Sequence, residues 1–164
     1  MKRIVTPNQS VFVLVATVWF FLSACSGTHR SEPQCAVSEA AIGGAAQRLV
    51  ASDNARDLAG VLAGYTDDVI WLPPTGDILN GKAAIRPRYE KLFSSFNINM
   101  SSEVVEARAE GGLGFARGFT KGTLTPLGGG TPTLVDDKFV ALVRCEAGVW
   151  RVSHLMWSPR SKAP

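Results

Sequence analysis

The chain has little of what many enzymatic chemistries require. Two histidines and three cysteines in 164 residues, with carboxylates scattered singly, give no metal-ligand spacing, so no metal is expected. No run of Lys or Arg occurs and charges of both signs are interspersed, which removes the electrostatic footprint of a nucleic-acid binder. The glycine cluster Gly128-Gly129-Gly130 lacks a following Lys and Ser/Thr and falls between two expected strands, so it is not a phosphate cradle. No cofactor is implied. Long apolar runs are equally scarce: the one from Val11 to Leu22 is about a dozen residues, too short to cross a bilayer comfortably.

Around that run the residues are informative. Lys2 and Arg3 precede it and Ser23-Ala24 follow it, the order of a secretory signal peptide over residues 1–24. Leu22-Ser23-Ala24-Cys25 resembles the lipobox of bacterial lipoproteins, which implies that Cys25 is acylated and becomes the new N-terminus. Each buried methylene contributes about 0.8 kcal/mol, so several chains on one cysteine hold a protein at a membrane. Everything from Ser26 onward is then exported and lipid-anchored to the cell envelope. Because Ser26 is not an aspartate, lipoprotein sorting rules imply the periplasmic face of the outer membrane, where the cell has one. Residues 25–35 form the anchor and a polar tether in which His29 has no assigned role, and residues 160–164 form a tail. The sequence holds 17 basic and 14 acidic residues; losing Lys2 and Arg3 leaves 15 against 14, so the sequence pI of 8.9 overstates the basicity of what remains.

Two cysteines remain, Cys35 and Cys145. An oxidising compartment permits a disulfide between them, closing a loop of about 110 residues; two unpaired buried thiols are the alternative.

The body of the chain, residues 36–159, is a single-domain length. From Ala36 to Ala51, Val37, Ala41, Ala45, Leu49 and Val50 mark one helical face, and Gly43-Gly44 suggests close packing. Ser52-Asp53 then offers an N-cap for a second helix carrying Leu58, Val61, Leu62 and Tyr65, ended by Gly64 and a Thr66-Asp67-Asp68 turn. Val69 to Leu72 is a short strand stopped by Pro73-Pro74. A third helix begins near Asn80-Gly81 with Ile85, Tyr89, Leu92, Phe93 and Phe96 on one face, and Pro87 costs it a hydrogen bond. Period-two patterning then predicts strands over Ile98–Ala109, Phe115–Leu124, Leu134–Arg144 and Val149–Trp157, separated by glycine-bearing turns. Three helices packed on a curved antiparallel sheet define an α+β cone enclosing one cavity.

Tyr65-Thr66-Asp67-Asp68-Val69-Ile70-Trp71-Leu72-Pro73-Pro74 followed by Leu79-Asn80-Gly81-Lys82-Ala83-Ala84-Ile85-Arg86 resembles the signature of NTF2-like, SnoaL-like and DUF4440 domains. Asp137 to Val140 and Gly148 to His154 are similar to that family's last two strands. The resemblance spans about Val37 to Ser158, with Pro87 and Leu155 as departures, Leu155 standing where many members carry an acid. It implies the fold and leaves function open, since the fold hosts isomerases, cyclases, hydrolases and binding modules. In ketosteroid isomerases of this fold a base carboxylate precedes a proline after the first strand, opposite a tyrosine and a second acid. Here Pro73 stands at the base position, helix one lacks a tyrosine, and Val140 falls near the second acid.

Three functions remain. A binding module would use Tyr65, Trp71, Tyr89, Phe119, Trp150 and Trp157 as an apolar pocket, with His154 or Arg117 as polar contact. An interaction module would pair two chains through the open sheet face, as NTF2-like domains often do. An enzyme would use Asp137 and His154 across adjacent strands as an acid–base pair, with His154 turned inward beside Val152 by alternation. The small apolar ligand ranks first and the enzyme last, because the fold's usual carboxylate positions are apolar or proline.

Overall fold

The computed structural model describes residues 34–160. The expected signal peptide, Cys25, His29, the tether as far as Pro33 and the expected tail beyond Arg160 lie outside the described residues. The elements run α1 (Glu39–Ala55), α2 (Leu58–Ala63), β1 (Tyr65–Leu72), β2 (Leu79–Asn80), α3 (Lys82–Ser95), β3 (Phe96–Glu110), β4 (Leu113–Pro126), β5 (Thr133–Glu146) and β6 (Val149–Pro159). The six strands form one curved, unclosed sheet in the order β2-β1-β6-β5-β4-β3. This is the expected α+β architecture, with one unforeseen feature: β1 runs parallel to β6 while every other pair is antiparallel.

Helix α1 opens at a capping serine, where Ser38 Oγ accepts from the Ala41 N–H at 3.1 Å and Glu39 faces the positive helix end. It then runs through Ser52-Asp53, which the sequence suggested as the cap of the next helix. Ile42, Ala45, Ala46, Leu49 and Asp53 recur at helical spacing and are all buried, so packing carries the helix onward to Ala55. The cap belongs instead to Asp57, whose carboxylate accepts the Gly60 N–H at 2.9 Å. Gly43 serves the close packing expected of it: a Cβ there would lie 3.3 Å from Val104 on β3.

Tyr65 to Asp68, expected as helix end and turn, are strand. The Val152 N–H donates to the Gly64 carbonyl at 2.9 Å, and the parallel pairing with β6 starts at Tyr65↔Val152, which draws the chain into extended form earlier than local signals indicate. Asp68 is consequently exposed on the sheet, where Arg144 grips it with two bonds of 2.6 and 3.2 Å and holds its carboxyl down at about 2.

Two bulges interrupt the long hairpins. One lies between Val104 and Glu106 on β3. Opposite it stands Gly118, at which a Cβ would run into the Glu103 carbonyl; only a residue without a side chain lets the two strands approach there. The other is on β6, where Val152 pairs with Val143 and His154 with Leu142, leaving Ser153 as the extra residue.

The alternatives for the two cysteines resolve into a disulfide: Cys35 is bonded to Cys145, with Cα atoms 5.8 Å apart. Trp150 lies beside this bridge, paired with Cys145 across the strands, and its Nε1–H donates to the Ala36 carbonyl at 2.9 Å. The segment preceding α1 is thereby pinned to the end of β5.

Candidate functional site

Between the concave face of the sheet and the helices lies a cavity of about 360 Å³. Alternation along β5 turns Val135, Asp137, Phe139 and Ala141 inward, and α1 supplies Leu49 and Asp53 from the other side. Tyr65 and Trp71 from β1, Tyr89 from α3 and Trp157 from β6 form an aromatic wall. Trp71 stands at its centre, edge-on to Tyr89 at 5.1 Å and to Trp157 at 5.3 Å between ring centroids. The Tyr65 and Tyr89 hydroxyls are bonded to each other at 2.8 Å. Burial raises both phenols far above the usual range, and the Asp53 charge pushes in the same direction.

Polar groups are few and distinctly placed. Asp53 is 91% buried, and its Oδ1 has no hydrogen-bond partner among the described residues. Burial pushes its carboxyl up to about 7, because an ionised group without a counter-charge or donor is costly in an apolar wall. Ser102 Oγ, also lining the cavity, is likewise buried without a partner. On the sheet, Ser102, Thr120 and Asp137 are register neighbours on β3, β4 and β5, giving a polar row across an otherwise apolar floor. Burial, then repulsion from Asp136, raises the Asp137 carboxyl as well. Arg88 is exposed at the rim.

Of the residues singled out from the sequence, Tyr65, Trp71, Tyr89, Trp157 and Asp137 line this cavity. Arg117, Phe119, Trp150 and His154 do not. Arg117 lies on the outer sheet face, bonded to Glu106 at 2.7 Å. Phe119, on the same face, lies under the Arg160 guanidinium at 4.2 Å, and Trp150 packs near the disulfide. The Ser153 bulge is what displaces His154. Beyond it the inward positions on β6 are Leu155 and Trp157, while His154 pairs with the exposed Leu142. The expected Asp137/His154 pair is therefore not assembled: Asp137 is in register with Pro159 and His154 with Leu142, five residues along β5, or about 17 Å, on opposite faces. Val140 also faces outward, and its inward neighbours Phe139 and Ala141 are no more acidic. Asp53 and Ser102 were not anticipated. Asp53 continues the spacing of Ile42, Ala45 and Leu49, and Ser102 the alternation of Ile98 and Met100, so both could have been placed inward by extending periodicity through a presumed boundary.

A cone of helices on a curved sheet, with one cavity between them, defines the NTF2-like, cystatin-like class of fold. The SnoaL-like domain family model matches residues 46–152, and the chain belongs to that family. Among solved structures, a ketosteroid isomerase-like protein from Erwinia carotovora atroseptica is similar at 28% identity and a TM-score of 0.67, over 75% of this chain and 96% of that one. A conserved protein from Planctomyces limnophilus matches at 20% identity and TM-score 0.67, over 73% and 94%. A cystatin-like domain of unknown function from Nostoc punctiforme matches at 15% and 0.60, over 75% and 77%. No curated protein matches the sequence.

Proposed function

We propose that this chain is an exported, lipid-anchored binding module whose cavity holds a small, largely apolar molecule. The observation that carries this reading is the cavity itself: about 360 Å³ walled by aromatic and aliphatic groups, with a few polar groups lacking partners among the described residues. A core built only for stability leaves such groups paired. A ligand site places a few unmet polar groups in an apolar wall to orient its occupant. Native mass spectrometry of the protein, gently released from the membrane of its host, tests this. An additional mass that departs on denaturation supports the reading, and protein that carries none and binds no apolar probe argues against it. Anchoring is tested by Cys25→Ala, which should move the protein from the membrane to the soluble fraction.

One observation favours a second reading, that two copies pair through the sheet. Leu134, Val140, Leu142 and Met156 share the outer face and are 82%, 37%, 44% and 50% exposed, beside a groove of about 450 Å³. Such apolar exposure is characteristic of interfaces. If this is correct, Leu142→Asp should halve the solution mass.

A further inference from the structure

We propose that the cavity selects a compact organic cation, with a protonated amine or quaternary ammonium group seated at Asp53 and an apolar body against the rings of Trp71, Tyr89 and Trp157. This rests on the binding reading and names its ligand class. Three observations converge on it. The first is Asp53, 91% buried with Oδ1 lacking a donor among the described residues, an arrangement that a positively charged visitor completes and a neutral apolar one does not. The second is the aromatic wall, centred on Trp71; indole and phenol rings attract cations, most strongly where water is excluded. The third is the charge of the lining: among the described residues the titratable groups facing the cavity are Asp53 on α1, the hydroxyl-bonded Tyr65 and Tyr89 on β1 and α3, Asp137 on β5, and a single cation, the exposed Arg88 on α3. Two inward carboxyls against one rim guanidinium favour a positive guest. The volume lies near the lower end of ordinary ligand pockets, which limits that guest to a compact molecule.

The pH dependence separates this arrangement from one in which protonated Asp53 merely donates a hydrogen bond. A cation binds the ionised carboxyl, so its affinity rises with pH; a carbonyl or hydroxyl accepting from the neutral acid binds less well as pH rises.

The probes are phenyltrimethylammonium, whose charge does not titrate, phenethylamine, its neutral isostere 2-phenylethanol, and 3-phenylpropionate. Binding is read by quenching of tryptophan fluorescence, since Trp71 and Trp157 both line the cavity. At pH 8 the two cations should bind about tenfold or more tightly than the alcohol, and phenylpropionate should bind most weakly. The affinity for phenyltrimethylammonium should rise about tenfold or more between pH 5.5 and pH 8, a measurement on the unaltered protein that does not depend on any variant folding. Asp53→Asn should abolish the preference for cations while retaining the alcohol; Asp137→Asn should not. Equal or tighter binding of the alcohol, or capture of phenylpropionate at Arg88, overturns the cation assignment and leaves the binding reading standing. Failure of every probe, charged or neutral, overturns both.

Discussion

Replacing Asp53 by Asn should change stability in a strongly pH-dependent manner, and the sign is set by the direction of its shift. In the unfolded chain its carboxyl titrates near the ordinary aspartate value of 3.8; in the fold burial holds it up to about 7. Between these values the folded protein retains a proton that the unfolded chain has lost, so stability falls as pH rises through that window and then levels off. Converted at about 1.36 kcal/mol for each tenfold change in proton affinity, that difference is a penalty on the order of 4 kcal/mol above pH 7. Since the side chain is 91% buried, little of this is lost to solvent screening. The neutral amide removes the pH-dependent penalty. Asp53→Asn should therefore match or fall below the wild type at pH 4 and exceed it at pH 8, the difference between the two proteins changing by several kcal/mol across the range. Urea unfolding at both pH values, with the disulfide intact, provides the measurement. Parallel stability profiles for the two proteins would refute the claim that Asp53 is buried without a compensating partner.

Reduction of the Cys35–Cys145 bridge, or Cys145→Ser, should cost about 5 kcal/mol by the chain-entropy estimate for a loop of this length, seen as a lower urea midpoint. Tyr89→Phe leaves the buried Tyr65 hydroxyl without its 2.8 Å partner and should destabilise by about 1–3 kcal/mol, measured in the same way. Gly118→Ala places a methyl against the Glu103 carbonyl and should cost at least about 1–3 kcal/mol, with circular dichroism reporting whether the sheet survives. His154→Ala should leave binding in the cavity unchanged by fluorescence titration, because the bulge turns it to the outer face.

Sequence alone reached most of the architecture, because long amphipathic segments announce themselves: β3 to β6 alternate over 11 to 15 residues each. It failed where tertiary contacts override local signals. Ser52-Asp53 has the chemistry of a cap and lies inside a helix, because the buried face of α1 continues to Asp53. Tyr65 has helical spacing to Leu62 and lies in a strand, because β6 is waiting for it across 87 residues of chain. The site suffered more than the fold, since face assignment by parity is lost after a single inserted residue. Ser153 carries no mark that distinguishes it from an ordinary strand serine, so His154 reads as inward until the register with β5 is seen. The aromatic wall was legible in part because large rings are the natural lining of an apolar cavity, and Tyr65, Trp71, Tyr89 and Trp157 do line it while Phe119 and Trp150 do not. Partnerless groups were not, since lacking a partner is a property of the assembled cavity and of no single residue.

The disulfide also bears on how the protein meets mechanical load. Cys35 stands four residues ahead of α1, and its covalent partner lies near the end of β5, a strand hydrogen-bonded on both sides. Any pull arriving from the N-terminal side passes through that sulfur–sulfur link into the middle of the sheet before it reaches α1. The helix that carries Asp53 lies inside the loop that the bridge closes, so tension on the leading segment is borne by the sheet and is not drawn through α1.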